Sequence, residues 1–317
     1  MKKNEIFISQ NFKNFEEMET SAKNWQYKTT YKLLPDAYIG THHVILLPTM
    51  QLSYQEKHGG ILHDIISPKG MMTVAVVEKN EGKACFGNTK LKEGMVVFFD
   101  DKKAYTMTNS GYIKVAIFSF SKQVYKELGK YLSKHRGEVI EDTDNTLQTM
   151  LDEILERFKN DPSVQENLSE QHQMEEQLIT QLSHLLETQT PSLPKLTKGE
   201  KIALEIRDRI YKRINGKVTI GSLAEEYRVS EQTLQNAFKS LFGFTPNIFI
   251  RHLKLNHVCH ALRKADPSID TIVRISRKWG FTHMGHFSRY FTELFGENPS
   301  VTLGKGCSLP KKQTKTE

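Results

Sequence analysis

The stretch of sequence that decides the fold lies near the C-terminal end. It reads KLNHVCHAL at residues 254–262 and, after nine residues, IVRISRKWGFTHMGHFSRYF at residues 272–291. Apolar residues recur three and four positions apart in both parts, a spacing that predicts amphipathic helices. Gly280 interrupts the second part, and Thr282 is a suitable N-cap for the helix that follows. The stretch therefore predicts a long helix followed by a helix-turn-helix.

A second stretch of the same kind precedes it, at residues 219–239. Its apolar residues predict two short helices, and Ser230 is placed to cap the second. The predicted N-caps at 230 and 282 are 52 residues apart, and a helix from about Asn247 to Lys264 joins the units. Such a helix could present both recognition helices to successive major grooves about 34 Å apart.

The outward residues of the second helix of each unit are the candidate DNA-binding residues. Gln and Asn side chains can pair with adenine, Arg with guanine, and Lys with phosphate, whereas the alternative is a helix face that only meets solvent. Arg289 is the strongest single candidate. The candidates are Ser230, Gln232, Thr233, Gln235, Asn236 and Lys239 in the first unit, and Thr282, His283, Met284, Gly285, Ser288 and Arg289 in the second.

The distribution of charge agrees with a polyanionic partner for the C-terminal part. Residues 195–317 hold 22 Lys and Arg against 11 Asp and Glu, a net charge of +11, whereas residues 1–194 hold 22 against 26, a net charge of −4. Cations set against phosphates release condensed counterions, which favours binding to nucleic acid. A surface that is basic only for solubility is the alternative, so the interpretation depends on the motif.

Residues 25–120 have the pattern of a β-rich domain. Short runs of β-branched and aromatic residues alternate with turn formers such as Gly59-Gly60 and Pro68, and no helical pattern lies between them. This predicts an antiparallel β-barrel, cupin-like, or a jelly roll, with a small-molecule site in its mouth. Before it, Phe12, Phe15 and Met18 predict an amphipathic helix. His42, His43, His58 and His63 suggest a metal site, but no His-x-His pair with a later Glu completes a ligand set.

Helical periodicity follows the β-rich region. An apolar stripe from Leu147 to Phe158 predicts one helix, and a capping box of Ser163 and Glu166 predicts the start of the next. Both helices could pack on the barrel or form a homodimer interface. A linker with Pro191 and Pro194 follows, and Thr197 with Glu200 predicts the cap of a helix that Asn215-Gly216 ends.

These patterns predict an α+β multidomain protein. The predicted parts are a β-rich effector-sensing domain at 1–120, a helical packing or dimerisation segment and linker at 121–190, and an all-α DNA-binding domain at 197–304. No apolar run is long enough for a membrane helix and no signal peptide is evident, so we expect a cytoplasmic protein without membrane contact. The three cysteines are widely spaced, which favours reduced thiols.

The C-terminal third resembles the AraC/XylS family of transcriptional regulators. The resemblance rests on Lys254-Leu255, Ile275-Ser276, Gly280-Phe281, Gly296 and Asn298-Pro299, with the apolar positions between them. It implies a double helix-turn-helix that binds double-stranded promoter DNA, RNA polymerase as a partner, and a small-molecule effector. An effector-responsive activator of a catabolic operon is therefore expected. The alternative is a cupin-type metal-dependent enzyme with an accessory DNA-binding domain.

A closer resemblance is to the regulators of ethanolamine-utilisation operons. It rests on the residues TLQNAF at 233–238, on Trp279-Gly-Phe281 with His283-Met-Gly285, and on PSVTL at 299–303. The resemblance implies ethanolamine or adenosylcobalamin as the effector.

Overall fold

Antiparallel strands form the N-terminal half of the protein. The computed structural model describes residues 6–21, 25–193, 195–212, 214 and 218–304. The strands are β1 (Phe7–Phe12), β2 (Gln26–Lys32), β3 (Ile39–Leu46), β4 (Met50–His58), β5 (Gly60–Ile66), β6 (Met71–Asn80), β7 (Lys83–Phe86), β8 (Thr89–Lys90), β9 (Met95–Asp100), β10 (Tyr105–Ser110), β11 (Ile113–Ser121) and β12 (Val139–Glu141).

The strands form two sheets. The larger has the order β1-β3-β4-β11-β6-β9-β12, and the smaller has the order β2-β5-β10-β7-β8. Because each sheet ends in edge strands, the prediction of a closed, cupin-like barrel is not confirmed. Alternating patterns identify which residues face inward, but they do not say whether the edges of the sheets pair.

Four layers follow one another through the molecule. Helices α3 (Thr146–Asn160) and α4 (Leu168–Thr188) cover the outer face of the larger sheet, where they share one apolar core with its strands. Between the sheets, Phe99 and Ile117 of the larger sheet lie in the same core as Phe86 and Met107 of the smaller one. The outer face of the smaller sheet packs against the C-terminal helices.

The apolar stripes of α3 and α4 are used inside the chain. Leu151 and Phe158 of α3 and Leu178 and Leu182 of α4 are all buried in the core beneath the larger sheet. These stripes therefore do not need a second subunit to cover them, and the packing interpretation is the one that the structure supports.

Two local predictions named a helix that exists but were wrong about the residue at which it begins. Phe12 is the last residue of β1, and the N-terminal helix α1 covers only Phe15–Ser21. Ser163 and Glu166 lie in a 3-10 helix at Pro162–Glu166, and α4 is capped instead by Asn167, whose side-chain oxygen accepts from Glu170 N. Asn and Ser are similarly good caps, so the sequence pattern alone did not distinguish them.

The C-terminal part is helical. Thr197 and Glu200 form the predicted reciprocal cap of α5 (Lys198–Lys212), whereas Asn215 and Gly216 lie outside the described residues. Across the described helices, none is long and apolar enough to cross a membrane. The remaining helices are α2 (Lys126–Lys134), α5 (Lys198–Lys212), α6 (Ile220–Glu226), α7 (Glu231–Phe242), α8 (Pro246–Lys264), α9 (Ile272–Lys278), α10 (Met284–Phe295) and α11 (Pro299–Thr302).

Candidate nucleic-acid interface

Helices α6 and α7 form the first helix-turn-helix unit. Thr219 caps α6 with a reciprocal bond to Ser222, and Ser230 caps α7 by accepting from Thr233 N at 3.0 Å. Arg228 lies in the turn with a φ of +51°, in the left-handed region that tight turns need. The predicted start of the recognition helix at Ser230 is therefore confirmed.

The candidate DNA-binding residues of α7 lie on one accessible face of the helix. Gln232, Thr233, Asn236 and Lys239 are exposed, and Gln235 is half-buried. The Gln232 Nε2 donates to Asn236 Oδ1 over 2.8 Å, so the two amides are already oriented beside each other. Their remaining donors and acceptors face outward and suit the edge of a base.

Helices α9 and α10 form the second unit. Gly280 lies between them with a φ of +86°, and the buried side of the unit contains Phe287, Phe291 and Leu294. Thr282 is not the N-cap: α10 begins at Met284 with His283 as its N-cap residue, and no side-chain capping bond forms. Residues 281–283 precede the helix, so its N-cap lies one residue beyond the position predicted at Thr282.

The exposed face of α10 is smaller than expected. His283, Gly285 and Arg289 are exposed, but Ser288 is half-buried, and Met284 packs against the core with its sulfur 3.4 Å from Ser276 Oγ. Met284 therefore serves packing at least as much as the outer surface. The Arg289 Nε lies 3.7 Å from Glu293, and both side chains are more than half exposed. An exposed pair of this kind is weak, so Arg289 can turn toward DNA at little cost.

Helix α8 joins the two units and contributes to both cores. Phe249 and Leu253 at its N-terminal half pack in the first unit, and Val258 and Leu262 at its C-terminal half pack in the second. Its 19 residues span about 28 Å at 1.5 Å per residue. The predicted connecting helix is therefore confirmed, and it is a rigid spacer between two separately packed units.

Arg251 fixes the second unit to this helix and was missed in the sequence. Its guanidinium lies 4.1 Å from the centre of the Tyr290 ring, a cation–π contact between α8 and α10. The contact joins residues 39 positions apart, so no local spacing could reveal it.

The N-terminal domain contacts the same helix. The Asn256 side chain accepts from Lys32 N and donates to Lys32 O, both at 2.8 Å, and the His252 ring lies 2.7 Å from Leu33 O. Burial lowers the pKa of His252 to about 4, which keeps the ring neutral. His257 lies 3.1 Å from the Tyr31 hydroxyl and stacks on Trp279 of the second unit at 4.3 Å. These contacts connect the end of β2 to the middle of α8 and, through His257, to the second unit.

A second interdomain contact reaches the end of α7. The Lys90 ammonium of β8 lies 3.3 Å from Glu200 and 3.0 Å from Ser240 Oγ, and Ser240 also donates to Glu200 at 2.8 Å. Although burial opposes it, hydrogen bonds from Thr197, Ser240 and Lys90 lower the pKa of Glu200 to about 2. The carboxylate therefore remains charged and holds α5, α7 and the smaller sheet together.

The four histidines considered for a metal site are dispersed. His42 and His43 point to opposite sides of β3, as expected for neighbours on a strand, and His42 Nε2 lies 2.8 Å from Ser53 Oγ. Among the described residues, no group of three His, Cys, Asp or Glu side chains is arranged to hold a metal ion.

Comparison with known proteins points to the same part of the chain. Residues 223–305 match the family model of a helix-turn-helix domain. The chain is 27% identical over 176 residues to the XylDLEGF operon transcriptional activator of Pseudomonas putida, covering 55% of this chain and 52% of that protein. It is 32% identical over 89 residues to the transcriptional activator RhaS of Escherichia fergusonii, covering 28% and 31%.

The AraC-like transcriptional activator CuxR is a similar solved structure, with 12% identity and a TM-score of 0.44 over 78% of this chain and 94% of its own. The chain spans about half the length of the Pseudomonas putida activator that it matches. The matched residues 223–305 contain the recognition helices of both units described above. The domain match identifies residues 223–305 as a helix-turn-helix domain, and the curated relatives that are similar to part of this chain are transcriptional activators.

Proposed function

We propose that this protein binds promoter DNA sequence-specifically and activates a catabolic operon in response to a small molecule. The observation that carries the proposal is the pair of helix-turn-helix units at the two ends of α8. Each unit has an accessible face with side chains that can contact the edges of DNA bases. One chain can then contact two half-sites, and a homodimer is not required for that. The protein would act in the cytoplasm, with RNA polymerase as its partner at the promoter.

The N-terminal sheets are the proposed sensing domain. They contact α8 through Asn256 and α7 through Ser240. A ligand that altered the sheets would therefore change the contacts that hold both helix-turn-helix units. Resemblance to the ethanolamine-utilisation regulators makes ethanolamine and adenosylcobalamin the first effectors to test. A thermal-shift measurement on the full chain is the direct test, because a ligand that binds the native state raises its unfolding temperature.

Replacing Arg289 by alanine should weaken specific DNA binding by about 1–3 kcal/mol and relax selectivity at one base pair. The reason is that an arginine on the exposed face of α10 can form two hydrogen bonds with guanine. The measurement is affinity for the footprinted promoter site and for its single-base variants. Lys130→Ala is the matched control, since Lys130 is an exposed cation on α2 in the other domain. Equal affinity of Arg289→Ala and wild type at every site would remove Arg289 from the interface.

Replacing Asn256 by alanine should loosen the docking of β2 on α8 by about 1–3 kcal/mol, because both backbone groups of Lys32 lose their partner. Hydrogen exchange at the Lys32 amide measures this, and exchange should become faster. Asn247→Ala is the control, since Asn247 is exposed on the same helix. Unchanged protection of Lys32 would show that Asn256 does not hold the domains together.

A further inference from the structure

The two helix-turn-helix units can be compared position by position, because they begin and end at equivalent residues. Thr219 caps α6 and Thr271 caps α9, and each side chain accepts from the backbone N–H three residues later. Helices α7 and α10 both have 12 residues, and both end at a glycine with a positive φ, Gly243 and Gly296. The chain therefore holds two copies of one motif, and a side chain that only one copy has is not required by the fold.

The first helices of the two units have opposite charge. Helix α6 has the sequence IGSLAEE, with two acidic residues and a net charge of −2, whereas α9 has the sequence IVRISRK, with three basic residues and a net charge of +3. Counted from the caps, Glu225 and Glu226 of α6 correspond to Arg277 and Lys278 of α9. Basic residues in the last turn favour the helix dipole. Because α6 forms with glutamates there, the dipole does not explain the cations of α9.

The three cations of α9 lie on one exposed face. Arg274, Arg277 and Lys278 are spaced three and four positions apart, and all are exposed. Arg274 is paired with Asp270, but 62% of its side chain is exposed, and such a pair is weak. Among the residues that the structure describes, neither Arg277 nor Lys278 forms an ion pair. The first helix of a helix-turn-helix crosses the DNA backbone, so α9 places three available cations where phosphates pass.

Side chains that can contact bases are distributed in the opposite way. Position 2 of the second helix is Gln232 in α7 and Gly285 in α10, and position 6 is Asn236 and Arg289. An added Cβ at Gly285 would have no atom of the described residues within 4 Å, so packing does not require a glycine there. Helix α7 thus presents two exposed, hydrogen-bonded amides, which together offer the donor and the acceptor that an adenine edge requires. Helix α10 presents a single arginine at the equivalent positions.

We propose that the two units divide DNA binding between them. Helix α9 of the second unit binds the phosphate backbone and supplies most of the salt-dependent affinity, whereas Gln232 and Asn236 of the first unit contact an adenine and supply most of the base discrimination. The inference rests on the proposed function as a promoter-binding regulator, and Arg289 remains the base-directed side chain of the second unit. Phosphate contacts strengthen binding to any sequence and base contacts set the preference, so the two contributions can be measured separately.

The backbone contribution is tested with a variant of the full chain that carries Arg274→Gln, Arg277→Gln and Lys278→Gln. Affinity is measured between about 50 and 200 mM salt for the footprinted promoter duplex and for a duplex of equal length with both half-sites scrambled. The slope of log affinity against log salt should fall by about 2–3, because each phosphate contact contributes about 0.9. The affinity itself should fall by the same factor for both duplexes.

The base contribution is tested with Gln232→Ala combined with Asn236→Ala. This variant should keep the salt slope of the wild type, while the ratio of its affinities for the promoter and scrambled duplexes falls at least about fivefold. Single-base variants of the promoter should show that it has lost the preference for adenine at one position. Replacing that adenine by 7-deazaadenine, which lacks the N7 acceptor, should weaken the wild type and leave the variant unaffected.

The matched control for charge removes three exposed cations from α2 in the N-terminal domain and should keep the wild-type slope: Lys126→Gln, Lys130→Gln and Lys134→Gln. Arg274→Lys with Arg277→Lys retains the charges and should also keep it. The inference is overturned if the α9 variant keeps the wild-type slope, if its loss of affinity is confined to the promoter duplex, or if the α7 variant keeps its adenine preference. Equal binding of both duplexes by the wild type would reject the proposed function as well, whereas wild-type discrimination with an unchanged α9 slope would reject only this inference.

Discussion

Replacing Phe287 by alanine is expected to destabilise the second helix-turn-helix unit by about 3–5 kcal/mol, the cost of removing a fully buried ring from a packed core. Phe287 has no exposed surface and contacts the rings of Phe281 and Phe291 at centroid distances of 5.2 and 5.7 Å. The two units have separate apolar cores, so the loss should be local. We expect the first unit to remain folded and the DNase footprint to shrink to one half-site.

Urea denaturation followed by hydrogen exchange measures both parts of this expectation. Amides of α10 should lose protection at lower urea than those of α7. Val301→Ala is the matched control, because Val301 is 51% exposed and a surface truncation changes stability by less than about 0.5 kcal/mol. Loss of protection in α7 and α10 at the same urea concentration would show that the two units unfold together, contrary to the separate cores.

The helix-turn-helix pair was predictable because its signals are local. Ser230 is the cap of α7, Gly280 is the turn of the second unit, and the connecting helix begins within a residue of the predicted position. Each of these depends on a local property: a capping bond to a nearby backbone group, the positive φ that glycine tolerates, or a periodic apolar stripe. The N-cap of α10 was missed because Thr282 is favourable by residue type, while packing of Met284 against Ser276 places the first turn later.

The N-terminal domain was less predictable for a physical reason. The strands of β4 and β5 carry histidine, glutamine and lysine on faces that turn inward, so the alternation of apolar and polar residues is obscured. Whether the sheets close depends on pairing between strands far apart in the sequence, which local pattern does not encode. The same long-range character hid the contact of Arg251 with Tyr290 and the docking of Asn256 on Lys32.

Replacing Lys57 by methionine is expected to increase the free energy of unfolding at pH 7 by about 2–3 kcal/mol. The pKa of Lys57 falls from 10.5 to about 8 because the side chain is buried, and one pKa unit is about 1.4 kcal/mol, so the burial of this charge costs about 3 kcal/mol. Methionine removes that cost and fills similar volume, while the lost bond to Gln55 subtracts about 1 kcal/mol.

The pH dependence separates this cause from simple repacking. Below pH 8 the lysine is protonated in both the folded and the unfolded state, so the wild type carries the full cost of burying the charge. Between about pH 8 and 10.5 the unfolded state binds more protons than the folded state, so the wild type gains stability as the pH rises. The advantage of Lys57→Met should therefore shrink from pH 7 to pH 10 in urea denaturation. The control is Lys69→Met, the same change at an exposed turn, which should match the wild type at both pH values. If Lys57→Met is less stable than the wild type at pH 7, the charge of the ammonium is already compensated within the fold. If the stability advantage of Lys57→Met stays constant with pH, the gain comes from packing.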